Sequence, residues 1–320
     1  MSFPQLLTRP RSGLRRGGAL VLAGVAAAVS VTACGTAAGG TGAGSAGGRQ
    51  VLAVVVAEND WGSIAAQVGG RYVQVTSIIT NPSADPHVYE PTAADARKVA
   101  TANLVWYNGI GYDNWMPKLL AADPGSRAVL SVGAVVGVAD GGNPHRWYNP
   151  ADVQKVISTY VADLSRADPG ESGYFRARAR SFDAGSLMAY NAEIALIKSR
   201  YSGTPVGASE SIFSMLAPAL RLNLITPYPF LKAISEGTDV SAADKALIDH
   251  QIKDHLIKVY VHNSQNTTPD VQAQLAECKA QGIPTATITE TLVPPTATYQ
   301  AWQARQLDGI AAALAKATGK

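Results

Sequence analysis

Two Pro-His pairs and two glutamates carry the side chains in this chain best suited to hold an ion. Pro86-His87 lies within Asn81-Pro82-Ser83-Ala84-Asp85-Pro86-His87-Val88-Tyr89-Glu90-Pro91. Pro144-His145 lies within Asn143-Pro144-His145-Arg146-Trp147-Tyr148-Asn149-Pro150. Ser209-Glu210 and Glu290 each follow a short run of strand character. Imidazole nitrogen suits late first-row metals and carboxylate oxygen suits harder divalent ions. Four such groups converging from two sides would close a coordination shell. A proline before each histidine restricts the backbone and pre-positions the ring. His262, in His262-Asn263-Ser264-Gln265-Asn266, also follows a strand-like run and is a candidate extra or substitute ligand. His250 and His255 sit on or just past a polar helical stretch and are expected in solvent. The chain has no His-Glu-x-x-His, Gly-x-Ser-x-Gly or phosphate-binding glycine loop, so no catalytic apparatus is expected.

These four residues need a frame that turns strand ends toward each other. Residues 51–57 form a continuous β-branched run suited to a buried parallel strand. A helix is expected after it, N-capped by Asp60 and stopped at Gly69-Gly70. Further strands are expected at 72–79 and 104–107, helices at 92–102 and 115–122, and an extended apolar run at 128–138. A helix over 150–167 is interrupted by Asp168-Pro169-Gly170. Residues 171–201 then run without proline and predict one helix of roughly 45 Å, with Gly185 its weak point. Alternation resumes with strands at 205–209, 257–261 and 285–289. The helices of this half fall at 211–216 (stopped near Pro218), 242–254, 268–281 and 299–317. The fold class is therefore α/β: two βα lobes with parallel sheets, joined by one long rigid backbone helix. Ligands of open parallel sheets bind outside the carboxyl ends of strands, where His87, Glu210 and Glu290 fall.

The chain start sets the compartment. Four arginines and no acid precede an apolar run at 19–31, the length of a signal-peptide core and too short to span a membrane. The run ends Val31-Thr32-Ala33-Cys34-Gly35, which resembles a bacterial lipobox with Cys34 as the lipidated residue. Residues 35–49 are almost all Gly, Ala, Ser and Thr, the composition of a flexible tether. The expected organisation is signal peptide 1–33, tether 34–49, N-terminal lobe 50–167, linking helix 168–202 and C-terminal lobe 203–320. The chain carries +3 formal charge; removing the leader's four arginines from 27 basic residues leaves 23 against 24 acidic. That balance gives no reason to expect a nucleic acid partner. Hydrophobic residues make up 47% of the chain, enough for sizeable cores. Cys278 would be the one thiol left and is expected to be buried.

The segments around these ligands resemble a known family. Asp85-Pro86-His87-Val88-Tyr89-Glu90-Pro91, Asp95-Ala96-Arg97 and Leu104-Val105-Trp106-Tyr107-Asn108-Gly109 are similar to the N-lobe of the cluster A-I solute-binding proteins. These are the metal-binding lipoproteins of ABC importers for zinc and manganese. Asn143-Pro144-His145 with Trp147, Ser209-Glu210 with Phe213, and Thr289-Glu290-Thr291-Leu292 with Tyr299 and Trp302 resemble its other ligand segments. The resemblance implies metal ligands His87, His145, Glu210 and Glu290 and one transported Zn²⁺ or Mn²⁺. It also implies an ABC importer permease as partner and a monomer lipid-anchored at the outer face of the bacterial cell membrane. A haem or siderophore receptor of similar fold and a metal-containing adhesin are the competing readings. Zinc members often carry a histidine-rich loop, whereas this chain has five histidines and no cluster. Many members have aspartate where this chain has Glu290.

Overall fold

The computed structural model describes residues 51–320; the expected signal peptide, Cys34 and tether lie outside the described residues. In the first lobe, β1 (Leu52–Glu58), β2 (Val73–Ile79), β3 (Leu104–Tyr107) and β4 (Ala128–Ser131) form a parallel sheet in the order β2-β1-β3-β4. Its helices are α1 (Asn59–Gly69), α2 (Ala93–Thr101), α3 (Trp115–Ala122), α4 (Val132–Val136) and α5 (Pro150–Ala167). The period-two alternation of a strand sorts β1 between two cores. Val54 and Val56 join the large core with Trp61, Trp106 and Tyr160, while Val55 and Ala57 face Val99, Trp115 and Met116. The run at 51–57 is apolar throughout because both faces are covered.

The linker runs as α6 (Ser172–Ser181), a π turn at Phe182–Ser186, and α7 (Met188–Tyr201). The second lobe repeats the first topology. Strands β5 (Pro205–Ala208), β6 (Asn223–Leu224), β7 (Val259–Asn263) and β8 (Thr285–Ile288) are parallel in the order β6-β5-β7-β8. They pack with α8 (Ser211–Leu220), α9 (Tyr228–Ser235), α10 (Ala242–Lys253), α11 (Pro269–Ala280) and α12 (Tyr299–Thr318). In each sheet the chain crosses from one side of its first strand to the other. Such a topological switch leaves a crevice at the carboxyl ends.

Several sequence expectations need correction. The linker is not one continuous α-helix. Phe182 and Leu187 are both 2% exposed, yet five α-helical residues would set them about 140° apart. The π turn, closed by Leu187 N–H donating to Phe182 O at 2.9 Å, widens the helix there and brings both inward. Residues 128–138 are not extended throughout. Ser131 Oγ accepts from Ala134 N–H and caps α4, which ends at left-handed Gly137. Asp60 does not cap α1: Glu58 holds that position, and Asp60 accepts from Trp61 N–H at 2.7 Å within the first turn. Pro218 does not stop α8, which continues to Leu220 and ends at Arg221. The lost N–H is offset by buried Leu216, Ala217 and Leu220. β6 and α9 have no counterpart in the sequence reading. β7 begins and ends two residues later than expected, which places Asn263 at its end.

The two lobes are joined by more than the linker. The Tyr299 hydroxyl donates to Trp147 O and that of Tyr148 to Thr289 O, both at 2.6 Å. Gln67 and Gln300 exchange amide hydrogen bonds of 3.0 and 2.7 Å. Tyr299 N–H donates to Ser63 Oγ at 2.9 Å. These buried and half-buried bonds run between helix and loop elements of opposite lobes and resist their separation.

Candidate metal centre

All four ligand candidates sit beyond carboxyl strand ends or on loops facing them. His87 lies on a short turn after β2, where Asp85 Oδ1 accepts its backbone N–H at 2.9 Å. Tyr89 then ties the same loop to α2 by donating to Asp95 at 3.0 Å. His145 is 1% exposed on the loop before α5. Glu290 follows β8, and its neighbour Thr289 is fixed by N–H donation to Gln306 and by acceptance from Trp302 Nε1 at 2.7 Å. Glu210 precedes α8 and is 3% exposed.

The structure brings His87, His145 and Glu290 together, with one ligand atom of each within 4.8 Å of the others. His145 Nε2 lies 3.2 Å and His87 Nε2 4.0 Å from Glu290 Oε1. Glu210 stands outside that trio but lines, with His87 and Glu290, a cavity of about 370 Å³. Its Oε2 accepts from Asn263 Nδ2 at 3.1 Å, while its Oε1 is buried without a hydrogen-bond partner. His87 Nε2 is likewise buried and unpartnered. His262 is half-buried on β7 and does not line that cavity. His250 is exposed and paired with Asp254 at 3.1 Å. Cys278 is fully buried, and burial raises its thiol to about 12.

The hydrogen bonds of His145 fix its tautomer. Asn143 donates through Nδ2 to Ser211 O at 2.7 Å and to Ser214 Oγ at 3.1 Å, which leaves its Oδ1 as acceptor. That oxygen lies 2.9 Å from His145 Nδ1 and accepts its proton. In the neutral ring His145 Nε2 is then the lone-pair nitrogen facing the cleft, the arrangement in which an outer partner orients a metal-ligating imidazole, and on protonation it would donate to Glu290. Burial pushes the His145 pKa down, against the hydrogen bond and charge of Glu290. Burial alone would raise Glu290. The hydrogen bond and charge of His145, with His87 and Tyr112, outweigh it and hold the carboxyl below its usual range. Burial, reinforced by the Glu290 charge, lifts Glu210 to about 8.

Sequence reasoning missed a second set of acids behind the trio. Glu58, Asp60 and Asp113 are each at most 1% exposed. Asp113 accepts from Asn108 and Gly109 N–H at 2.6 and 2.7 Å, which folds the Gly109-Ile110-Gly111 loop beneath Tyr112. Ile110 takes φ 62° there, a left-handed conformation costly for a β-branched residue. Burial raises Glu58 well above the carboxylate range, with the charges of Asp113 and Asp60 adding to it. Glu58 keeps its proton and can donate it to Asp113. Burial raises Asp60 to about 8, against its backbone hydrogen bonds. A continuous apolar strand ending in Glu58-Asn59-Asp60 is the signal the sequence offers, and the same residues also suit a helix start.

At Asp60 the folded chain therefore binds more protons than the unfolded chain between ~4, the ordinary carboxylate pKa, and about 8. The Asp60 contribution to stability is full below that window and is lost as pH rises through it. In chelator-treated protein, Asp60→Asn is expected to flatten the fall in urea midpoint between pH 5.5 and 8.5. An unchanged slope would reject a buried, protonated Asp60.

Two βα lobes meet at the carboxyl ends of parallel strands, with histidines and carboxylates between them, the architecture of the two-lobed solute-binding proteins. The chain belongs to the family described as zinc-uptake complex component A, periplasmic, which matches residues 54–313. It is 26% identical over 173 residues to the manganese-binding lipoprotein MntA of Bacillus subtilis, covering 51% of this chain and 54% of that one. It is 28% identical over 166 residues to the iron-binding protein YfeA of Yersinia pestis, covering 48% and 52%. The chain thus spans about half the length of these curated relatives. The solved periplasmic zinc-binding protein TroA of Treponema pallidum shares the fold. Its TM-score is 0.67 at 19% identity, over 82% of this chain and 99% of that one.

Proposed function

We propose that this chain captures one divalent transition metal between its lobes through His87, His145, Glu210 and Glu290 and delivers it to an ABC importer permease. The observation that carries the reading is the opposition of His145 Nε2, a lone pair, and Glu290 Oε1, a carboxylate oxygen, at 3.2 Å. Two acceptors at that distance repel unless a cation or proton lies between them. The unpartnered His87 Nε2 and Glu210 Oε1 add two more donor atoms at the cavity that Glu290 lines, and His87 joins His145 in lining a second cavity beside it. A dication there would favour the charged form of Glu210 and offset both carboxylates. Lipidation at Cys34 would hold the body at the outer membrane face, and the protein would act as a monomer. Two nitrogens with two carboxylates tilt the donor set toward manganese or ferrous iron, but intrinsic affinity runs to zinc over manganese at nearly any such site. We assign zinc as the tighter-bound ion. Protein purified without added metal should carry one equivalent of transition metal by elemental analysis, and calorimetry after chelation should give a zinc Kd below that for manganese. Metal-free protein that takes up neither ion would overturn the reading.

Metal loading is expected to leave the lobes in place. The π turn is a defect at which a helix can bend. Phe175 and Phe182 pack before and within it and Leu187 and Tyr190 beyond it, all within one core, and the cross-lobe tyrosine and glutamine bonds add restraint. Solution scattering of chelated and zinc-loaded protein should give nearly equal radii of gyration, with slowed hydrogen exchange at the four ligand loops. A radius change typical of wide hinge closure would show that these restraints yield.

A further inference from the structure

The end of β7 and the segment after it supply none of the four ligands, yet the amides of Asn263 and Gln265 reach three of the ligand-bearing loops. Asn263 Nδ2 donates to Glu210 Oε2 at 3.1 Å, and Asn263 Oδ1 accepts from Gln265 N–H at 2.9 Å. Gln265 Oε1 accepts from the backbone N–H groups of Glu290 and Thr291 at 2.7 and 3.2 Å. Gln265 Nε2 donates to Thr291 Oγ1 at 2.8 Å and, across the cleft, to Pro82 O at 2.6 Å. The amide orientation is forced, because a flip would set oxygen against the Pro82 carbonyl and NH₂ against two N–H donors. Both donors and both lone pairs are then used.

Pro82 begins the loop that ends at His87. Within it, Ala84 N–H donates to Asn81 O at 3.0 Å, Ser83 N–H to Asn81 Oδ1 at 3.0 Å and His87 N–H to Asp85 Oδ1 at 2.9 Å. The loop is a series of local turns, so fixing Pro82 limits where His87 can go. Glu290 is held by its own N–H on the same side chain.

We propose that Gln265 is a positioning residue that clamps the His87 loop of one lobe to the Glu290 loop of the other and so sets the separation of these two ligands before metal arrives. This rests on the metal-capture reading for its functional consequence, though the clamp itself does not. It also assigns the His262–Asn266 segment a role other than supplying His262: Asn263 orients Glu210, and Gln265 joins the remaining two loops. Preorganisation of this kind removes ordering cost from the binding step.

The test uses the full chain with Gln265→Ala and Gln265→Glu. Gln265 is half-buried on a loop, so both variants should fold with near-parental melting temperatures. In the chelated protein, Gln265→Ala should speed hydrogen exchange in both 81–90 and 289–292. Gln265→Glu keeps the acceptors for the Glu290 and Thr291 N–H groups but opposes a carboxylate oxygen to Pro82 O, so only 81–90 should speed up. Zinc affinity of Gln265→Ala should fall ~10–100-fold, the usual cost of losing an outer partner of a ligand. The visible bands of the cobalt-substituted protein should shift, a readout that loss of global stability alone would not move. A zinc Kd within about twofold of the parent, or unchanged exchange in both segments, would overturn the proposal. If the parent itself binds no zinc, the capture reading falls and exchange alone decides the clamp.

Discussion

His145→Ala is expected to lower zinc affinity by several orders of magnitude, on the order of 4 kcal/mol or more at 1.4 kcal/mol per decade. The ring is 1% exposed and its Nδ1 proton is committed to Asn143, so Nε2 faces the cleft at little ordering cost on binding. Alanine removes the nitrogen and leaves a buried void beside Glu290. The shell opens on the side least able to admit a replacement water. His87→Ala should act in the same direction with a smaller loss, because His87 is half-buried and water can take its place. Asn143→Ala leaves the ring but frees its tautomer and should cost ~10–100-fold. His262→Ala is the control and should change little, since His262 neither joins the His87, His145 and Glu290 trio nor lines the cavity beside it. The melting temperature gained on adding zinc should shrink in the same order, because stabilisation follows RT ln(1 + [L]/Kd). Calorimetry with unchanged affinity in both His87→Ala and His145→Ala would reject this site.

Much of this site was legible because its residues obey a simple rule: polar groups that follow apolar strands lie at carboxyl ends. That rule located His87, Glu210 and Glu290. It could not show that three of the four candidates form a tight trio while Glu210 stands apart, hydrogen-bonded to Asn263. The separation depends on side-chain hydrogen bonds between segments more than 50 residues apart, for which sequence pattern carries no signal. The same holds for Glu58 and Asp113, whose partnership arises only when β1 and the loop after β3 come side by side.

Fold elements divide along similar lines. Strands buried on both faces and helices with strong caps, such as α5 behind Asn149-Pro150, were placed to within a residue or two. Errors fell where tertiary packing overrode local preference. The π turn exists because Phe182 and Leu187 must both face inward, and α8 passes Pro218 because Leu220 has a core to enter. The proposed restraint on lobe movement therefore rests not on an unbroken linker but on helix α12 and the loop after His145, whose tyrosines bond across the lobes.

Cys34→Ala is expected to move the protein almost completely from the detergent phase to the aqueous phase. The proposed anchor is a diacylated cysteine, and each buried methylene contributes about 0.8 kcal/mol, so two chains hold a protein that one would hold only marginally. Substitution removes both at once. Charge gives little compensation: beyond the leader the chain has 23 basic and 24 acidic residues, so it carries no net positive charge toward anionic lipid. Among the described residues no helix is long and apolar enough to cross a membrane. The other thiol cannot substitute, because Cys278 is fully buried and its pKa is raised to about 12. Labelling cells with a fatty-acid probe should therefore mark the parent and leave Cys34→Ala unmarked, while zinc affinity and melting temperature stay at parental values because the proposed ligands lie within residues 87–290. Efficient detergent partitioning of the variant, or label persisting on it, would overturn the lipid-anchor assignment without touching the metal site.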